Sequence, residues 1–204
     1  MKTAPDFEFE TASPQPVCGI DEVGRGPWAG PVTAAAVILD PSNIPAGLND
    51  SKKLTAARRE ALFTEIMATA TVSIASASVQ EIDQINILQA TFLAMRRAVE
   101  GLETVPIFAL VDGSKIPPGL PCKAQAVVKG DARSLSIAAA SIVAKVTRDR
   151  LMCDLSATFP GYGWETNMGY GTKAHQAGLA KLGVTPHHRV SFKPIHKILC
   201  QGIT

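Results

Sequence analysis

The sequence has no apolar run long enough for a bilayer. Its longest stretch without a charged residue, Ile66 to Gln80, is 15 residues and rich in Ser, Thr and Ala, whereas a membrane span takes about 20 strongly apolar residues. No basic segment followed by an apolar one opens the chain, so nothing directs secretion and the cytoplasm is the expected compartment. Cysteine is sparse. Cys18, Cys122, Cys153 and Cys200 lie far apart with no C-x-x-C pair, which argues against a zinc finger or disulfide scaffold and for reduced thiols. No internal repeat or low-complexity block is present. P-loop, nucleophile elbow and H-E-x-x-H are absent as well, so covalent catalysis has no candidate nucleophile.

What is present suffices for one core. The chain has 204 residues, 46% apolar and 19% charged, a size and composition that fit a single globular domain. The net charge of +2 hides an asymmetry. Residues 1–50 carry seven acids against two bases, residues 132–204 nine bases against three acids, and all four histidines fall in that last third. A basic carboxyl-terminal part is compatible with a polyanionic partner.

Met1 to Pro16, acidic and interrupted by proline, reads as a loose lead-in, and residues 17–204 as one domain. Val17 to Ile20 reads as a strand running into Asp21-Glu22, and Val32 to Leu39 as a buried strand. Thr55 caps a helix over Ala56–Ala68, Val72 to Val79 returns to strand, and Asn86 caps a helix over Ile87–Glu100. Ile107 to Val111 and Ala124 to Val128 are short strands. Ala132 to about Thr158 is a long helix, apolar all round in its first half, and Thr172 to Leu182, stopped by Gly183, is the last clear one. Strands mixed with helices make an α/β domain around one sheet.

The acids fall at a telling place. Asp21-Glu22, Asp112 and Asp131 each follow a strand-like run, so neighbouring strands would gather four carboxylates at one end of the sheet. Such crowding raises pKa values, and a divalent cation is the usual remedy. Singly, each acid has an ordinary reading as a strand end, a turn residue or a helix cap; the set of four does not. Gly24-Arg25-Gly26-Pro27-Trp28-Ala29 satisfies G-x-G-x-x-A, but a dinucleotide site needs a helix after that motif, and here Gly30-Pro31 leads into a strand. What remains is a loop of Gly24, Arg25 and Gly26 that lets backbone approach sugar and phosphate closely. Tyr170, between two glycines at a helix entry, is placed to stack on a sugar or base. Lys53, Lys145 and Arg148 read first as solvated basic residues and second as phosphate contacts. His187-His188-Arg189 fits neither metal-ligand nor triad spacing.

From Gly19-Ile20-Asp21-Glu22-Val23-Gly24-Arg25-Gly26-Pro27 through Leu48-Asn49-Asp50-Ser51-Lys52-Lys53-Leu54, Val111-Asp112-Gly113, Lys129-Gly130-Asp131, Ser136 to Lys145, Arg148-Asp149, Gly169-Tyr170-Gly171-Thr172 and His188-Arg189 to Phe192, the chain resembles prokaryotic ribonuclease HII. The resemblance covers residues 18–194 in order. It implies an RNase H-like fold, a five-stranded mixed sheet flanked by helices with a small helical carboxyl-terminal part. It implies that Asp21, Glu22, Asp112 and Asp131 are catalytic acids holding two Mg²⁺ or Mn²⁺ ions about 4 Å apart, that Gly24, Arg25 and Gly26 read the ribose 2′-hydroxyl, and that Tyr170 stacks on the next sugar. The expected substrates are RNA–DNA hybrids and duplex DNA carrying single ribonucleotides, cut on the 5′ side by a monomer. A sliding-clamp partnership stays open. The alternatives are a hybrid-binding module without chemistry and another RNase H-like nuclease acting on DNA alone.

Overall fold

The computed structural model describes residues 4–200; residues 1–3 and 201–204, part of the expected lead-in and of the expected domain, lie outside the described residues. Five strands, β1 (Val17–Val23), β2 (Val32–Ile38), β3 (Thr71–Ala77), β4 (Phe108–Asp112) and β5 (Lys123–Val127), form one sheet in the order β3-β2-β1-β4-β5. β1 pairs antiparallel with β2, while β1 with β4 and β4 with β5 pair in parallel. The sheet is therefore mixed and five-stranded, as expected. The first five residues of β1 and the first six of β2 are buried, which is why both strands read as apolar runs and do not alternate.

The chain divides into two compact units: Met1–Val23, Thr33–Ser76 and Phe92–Val146 form one, and Gly24–Val32, Ala77–Thr91 and Thr147–Thr204 the other. In the first, Ala35 and Val37 of β2 pack with Leu62 and Ile66 of α2 (Ala56–Thr69) and with Ile142 and Val143 of α4 (Leu135–Thr158). A smaller cluster joins Val17, Leu110, Val127 and Ile137. Each fully buried aliphatic of this kind contributes roughly 1.5–3 kcal/mol, and the second cluster lies beneath the strands that carry the acids. The second unit is built around Met152, Tyr162, Trp164, Leu179 and Ile195. Its short helices, α5 (Trp164–Asn167), α6 (Lys173–Leu182) and α7 (Lys193–Cys200), are the expected small helical carboxyl-terminal part.

Caps set the helix ends. Thr55 Oγ1 accepts from Arg58 N at 3.2 Å, Thr172 Oγ1 from His175 N at 3.4 Å, and α6 stops at Gly183. α3 (Val79–Glu100) is two helical pieces meeting at Asn86, whose side chain accepts from Leu88 N and Gln89 N and so caps the second piece as expected. The first piece is additional. It starts from a capping box in which Ser78 N donates to Glu81 Oε2 and Glu81 N to Ser78 Oγ. The lead-in is a correction to the expectation: it forms α1 (Glu8–Thr11) and sends Glu10, 1% exposed, to the start of α4. Among the described residues no helix is long and apolar enough to cross a membrane.

Candidate active-site residues

The register of β1 and β4 pairs Ile20 with Val111, which leaves Asp21 and Asp112 as the next residues of two adjacent parallel strands. β1 continues to Val23, so Asp21 and Glu22 lie inside the strand and not beyond it. Asp131 arrives by a turn after β5. Lys129 takes a left-handed φ of 55°, and the Gly130 N–H donates to Asp112 Oδ1 at 2.6 Å. Glycine suits the position, because a Cβ would stand 2.6 Å from Ile137 Cδ1 and 3.2 Å from Asp112 Oδ1, and both side chains would have to give way. The Lys-Gly-Asp sequence is thus the means of bringing Asp131 back beside β4.

Repulsion marks the cluster. Burial raises the pKa of Asp21 well above the usual carboxylate range, and Glu22 and Asp112 push it further, against hydrogen bonds from Ser141 and the Glu22 N–H. Ser141 Oγ also lies 2.8 Å from Ser51 Oγ; with the Ser141 proton committed to Asp21, Ser51 is the donor. Asp131 is raised by burial, then by Asp112 and Asp50, with Lys52 opposing. Lys52 is lowered by partial burial but, on balance, raised by Asp50, Asp131, Asp21 and Asp112. Asp50, Lys52 and the two serines are therefore site neighbours that the spacing of the acids does not reveal, although the Asn-Asp-Ser-Lys-Lys block was the signal available.

Among the described residues, no group of three or more His, Cys, Asp or Glu side chains is arranged to hold a metal ion. Consecutive strand residues point to opposite faces, so Asp21 and Glu22 do not simply stack. What is gathered is a set of mutually repelling carboxylates. The donor chemistry fits a hard cation all the same: every candidate ligand is oxygen, and Mg²⁺ keeps waters and borrows substrate oxygens when protein ligands are few.

In the second unit, Arg25 and Gly26 are exposed. A Cβ on Gly26 would lie 3.2 Å from Tyr170 Cε1, so the Tyr170 ring, 49% exposed, rests against the loop. Trp28 N donates to Gly169 O at 2.8 Å, tying the two segments together. Lys53 is exposed and Lys145 partly buried. Arg148 corrects the expectation of a phosphate contact. It is 1% exposed, and its guanidinium donates to three backbone carbonyls, of Pro31, Met168 and Ala29. The helical spacing carries a signal, since Arg148 stands four residues from fully buried Ala144 and four from fully buried Met152. Arg189, at 0% exposed, has the same role: it donates to Gly30, Arg25 and Gly24 carbonyls.

Comparison with known proteins identifies the family and the fold. The ribonuclease HII family model matches residues 18–195. Ribonuclease HII of Jannaschia sp. (strain CCS1) is 67% identical over 196 residues, 96% of this chain and 98% of the relative. The crystal structure of ribonuclease H2 from Pyrococcus horikoshii OT3 superposes with a TM-score of 0.76 at 28% identity, over 91% of this chain and 97% of that one. The structure of the PCNA:RNase HII complex from Archaeoglobus fulgidus matches with a TM-score of 0.70 at 27% identity, over 87% and 95% of the two chains.

Proposed function

Since the chain belongs to the ribonuclease HII family, metal-dependent endonucleases acting on RNA in RNA–DNA hybrids with an RNase H-like fold, we propose that it also incises duplex DNA on the 5′ side of a single embedded ribonucleotide. The products are a 3′-hydroxyl and a 5′-phosphate, and the reaction removes misincorporated ribonucleotides. The observation that carries this reading is that Asp21 and Asp112 are the next residues after the Ile20–Val111 pair of two adjacent parallel strands, with Asp131 brought beside Asp112 by the Gly130 turn. Four carboxylates that repel one another are a poor structural device and a good cation site.

Asp21, Glu22, Asp112 and Asp131 hold Mg²⁺ or Mn²⁺. When bound, two such ions supply an activated water and neutralise charge on the leaving 3′ oxygen. The remaining work belongs to the chain. Ser141 and the Gly130 amide fix the orientations of Asp21 and Asp112. Gly24, Arg25 and Gly26 read the 2′-hydroxyl, the group that separates RNA from DNA at a single position, while Tyr170 stacks on the neighbouring deoxyribose. Lys53 and Lys145 contact phosphate without sequence preference, which makes binding salt-sensitive. A sliding clamp as partner draws support from the Archaeoglobus complex alone.

The deciding experiment incubates a duplex carrying one ribonucleotide with the protein and Mg²⁺, beside an all-deoxy duplex. Cleavage of the first only, lost in Asp112→Asn while circular dichroism shows a folded protein, is the expected result. Cleavage of both duplexes, or near-normal turnover by the variant, would falsify the assignment.

A further inference from the structure

Two fully buried arginines lie under the glycine loop, and the function proposed above gives them nothing to do. Arg189 Nε donates to Gly30 O at 2.9 Å, Nη1 to Arg25 O at 3.0 Å and Nη2 to Gly24 O at 2.5 Å. Arg148 Nε donates to Pro31 O at 2.9 Å, Nη2 to Ala29 O at 3.0 Å and Nη1 to Met168 O at 2.9 Å. Between them they engage five carbonyls of residues 24–31 and one beside Tyr170. Both stay charged at neutral pH, although burial lowers Arg148 to about 10 and burial together with the Arg148 charge lowers Arg189 to about 9. Burying two like charges is costly. A guanidinium offers five donors spread over three nitrogens in a rigid fork, whereas a lysine's three donors radiate from a single nitrogen and do not match three carbonyls spaced to Nε, Nη1 and Nη2.

The consequence for the exposed side of the loop follows from peptide geometry. In a trans peptide the C=O of one residue and the N–H of the next point in opposite directions. With the Gly24 and Arg25 carbonyls turned in to Arg189, the amides of Arg25 and Gly26 point away from it, and both residues are exposed. Gly24 sits at φ +95°, and a Cβ there would meet Arg148 Nε at 2.2 Å, so the first glycine of the loop is fitted to the guanidinium as well as to the turn. His187-His188-Arg189 lies antiparallel beside the loop: Arg189 N donates to Trp28 O and Gly30 N to His187 O. The motif with no catalytic spacing is the strip that carries Arg189 to its place.

We propose that Arg148 and Arg189 are positioning residues for ribose recognition: they draw the loop carbonyls inward and so present the Arg25 and Gly26 amides to the 2′-hydroxyl, without touching substrate themselves. The proposal rests on the reading of the loop given above. A positioning role has a kinetic signature that lost stability lacks. Arg189→Lys and Arg148→Lys keep a nitrogen donor on a long side chain but break the fork. Each raises KM for the ribonucleotide-containing duplex, lowering kcat/KM roughly 10- to 100-fold, while kcat per folded molecule and affinity for the all-deoxy duplex hold. Loss of kcat alone, or wild-type KM in both folded variants, overturns it. One measurement needs no variant. The Gly26 amide exchanges with solvent rapidly in the free wild-type protein and slows on binding the ribonucleotide duplex but not the all-deoxy one; an amide already protected in the free protein sinks the proposal. Wild-type indifference to the ribonucleotide removes the functional reading itself, whereas discrimination retained by both lysine variants removes only the clamp.

Discussion

Asp21 shows, at one residue, the conflict between folding and the function proposed for it. It is 6% exposed, next to Glu22 and near Asp112, and its raised pKa means that the ionised form is strained in the metal-free protein at neutral pH. That strain fixes the sign of a test. Asp21→Asn keeps the shape and the oxygen that accepts from Ser141 and the Glu22 amide, and removes the repelling charge. In metal-free buffer at pH 7.5 the variant is expected to be more stable by on the order of 1 kcal/mol, about 2–4 °C in Tm, and inactive with Mg²⁺. Calorimetry decides it. A lower Tm would mean that the hydrogen bonds need the charge more than the cluster suffers from it. That these carboxylates come near one another was legible in the sequence because each follows an apolar run, a local property, although Asp21 and Glu22 lie within β1 and not at its end. Arg148 was not, because arginine is an ordinary surface residue and only its place on the Ala144–Met152 stripe betrays burial. Asp50 is different: the Asn-Asp-Ser-Lys-Lys block marks its loop, but its approach to Asp131 spans 81 positions of sequence, and the block does not say which acid it meets.

At the scale of elements, the caps Thr55 and Asn86 were readable from local sequence, Thr172 proves to be the cap of α6 and not its first residue, and the cap supplied from afar was not readable. The first turn of α4 is capped by Ser134, whose Oγ accepts from Ile137 N, and by Glu10, 126 residues distant from Ser136. Glu10 Oε1 accepts from Ser136 N at 2.8 Å, Ser136 Oγ at 2.6 Å and Ser134 Oγ at 2.5 Å, a carboxylate at a helix N-terminus where charge and dipole agree. Its other oxygen is buried with no hydrogen-bond partner, so an amide in its place would bury an unsatisfied donor. The backbone joins in, since Asp6 N donates to Arg133 O and Leu135 N to Asp6 O. Asp131 lies three residues before Ser134, so the lead-in that looked loose fastens the segment carrying a proposed ligand. Glu10→Ala strands two hydroxyls and an amide without water, and at about 1–3 kcal/mol for each unsatisfied group, partly relieved by relaxation, the loss of stability is expected to be about 3 kcal/mol. Urea unfolding measures it. A loss under about 1 kcal/mol would restore the reading of residues 4–16 as a loose tail.

For the whole molecule, the groups with displaced pKa values oppose one another, and the balance sets how stability depends on pH. His188 and His175 are buried and neutral. His188 Nε2 lies 3.0 Å from His175 Nε2, which already accepts from Trp164 Nε1, so His188 is the donor there and accepts at Nδ1 from Thr185 N; His175 then donates from Nδ1 to Tyr170 O. Burial, helped by His175, lowers His188 to about 4, and burial lowers His175 too. An unfolded histidine takes its proton near pH 6.5, so between about 6.5 and 4 the unfolded chain binds more protons, and stability falls as the solution is acidified. From pH 7 to 5 that amounts to about 2 kcal/mol for His188 alone. Asp21 and Asp131 act in the other direction: their raised folded pKa values mean that the native state takes up protons first, and its stability rises as pH falls through them. The measured curve is the difference of the two effects, so a flat profile in the parent protein says little. Urea midpoints at pH 7 and 5 in the Asp21→Asn background, where much of the carboxylate contribution is gone, are expected to show the full histidine loss, and adding His188→Gln should flatten the slope even though that change lowers stability at both pH values. If the slope survives the substitution, the proton taken up on unfolding belongs to another group, and the neutral hydrogen-bonded pair behind Tyr170 is not what ties this fold to neutral pH.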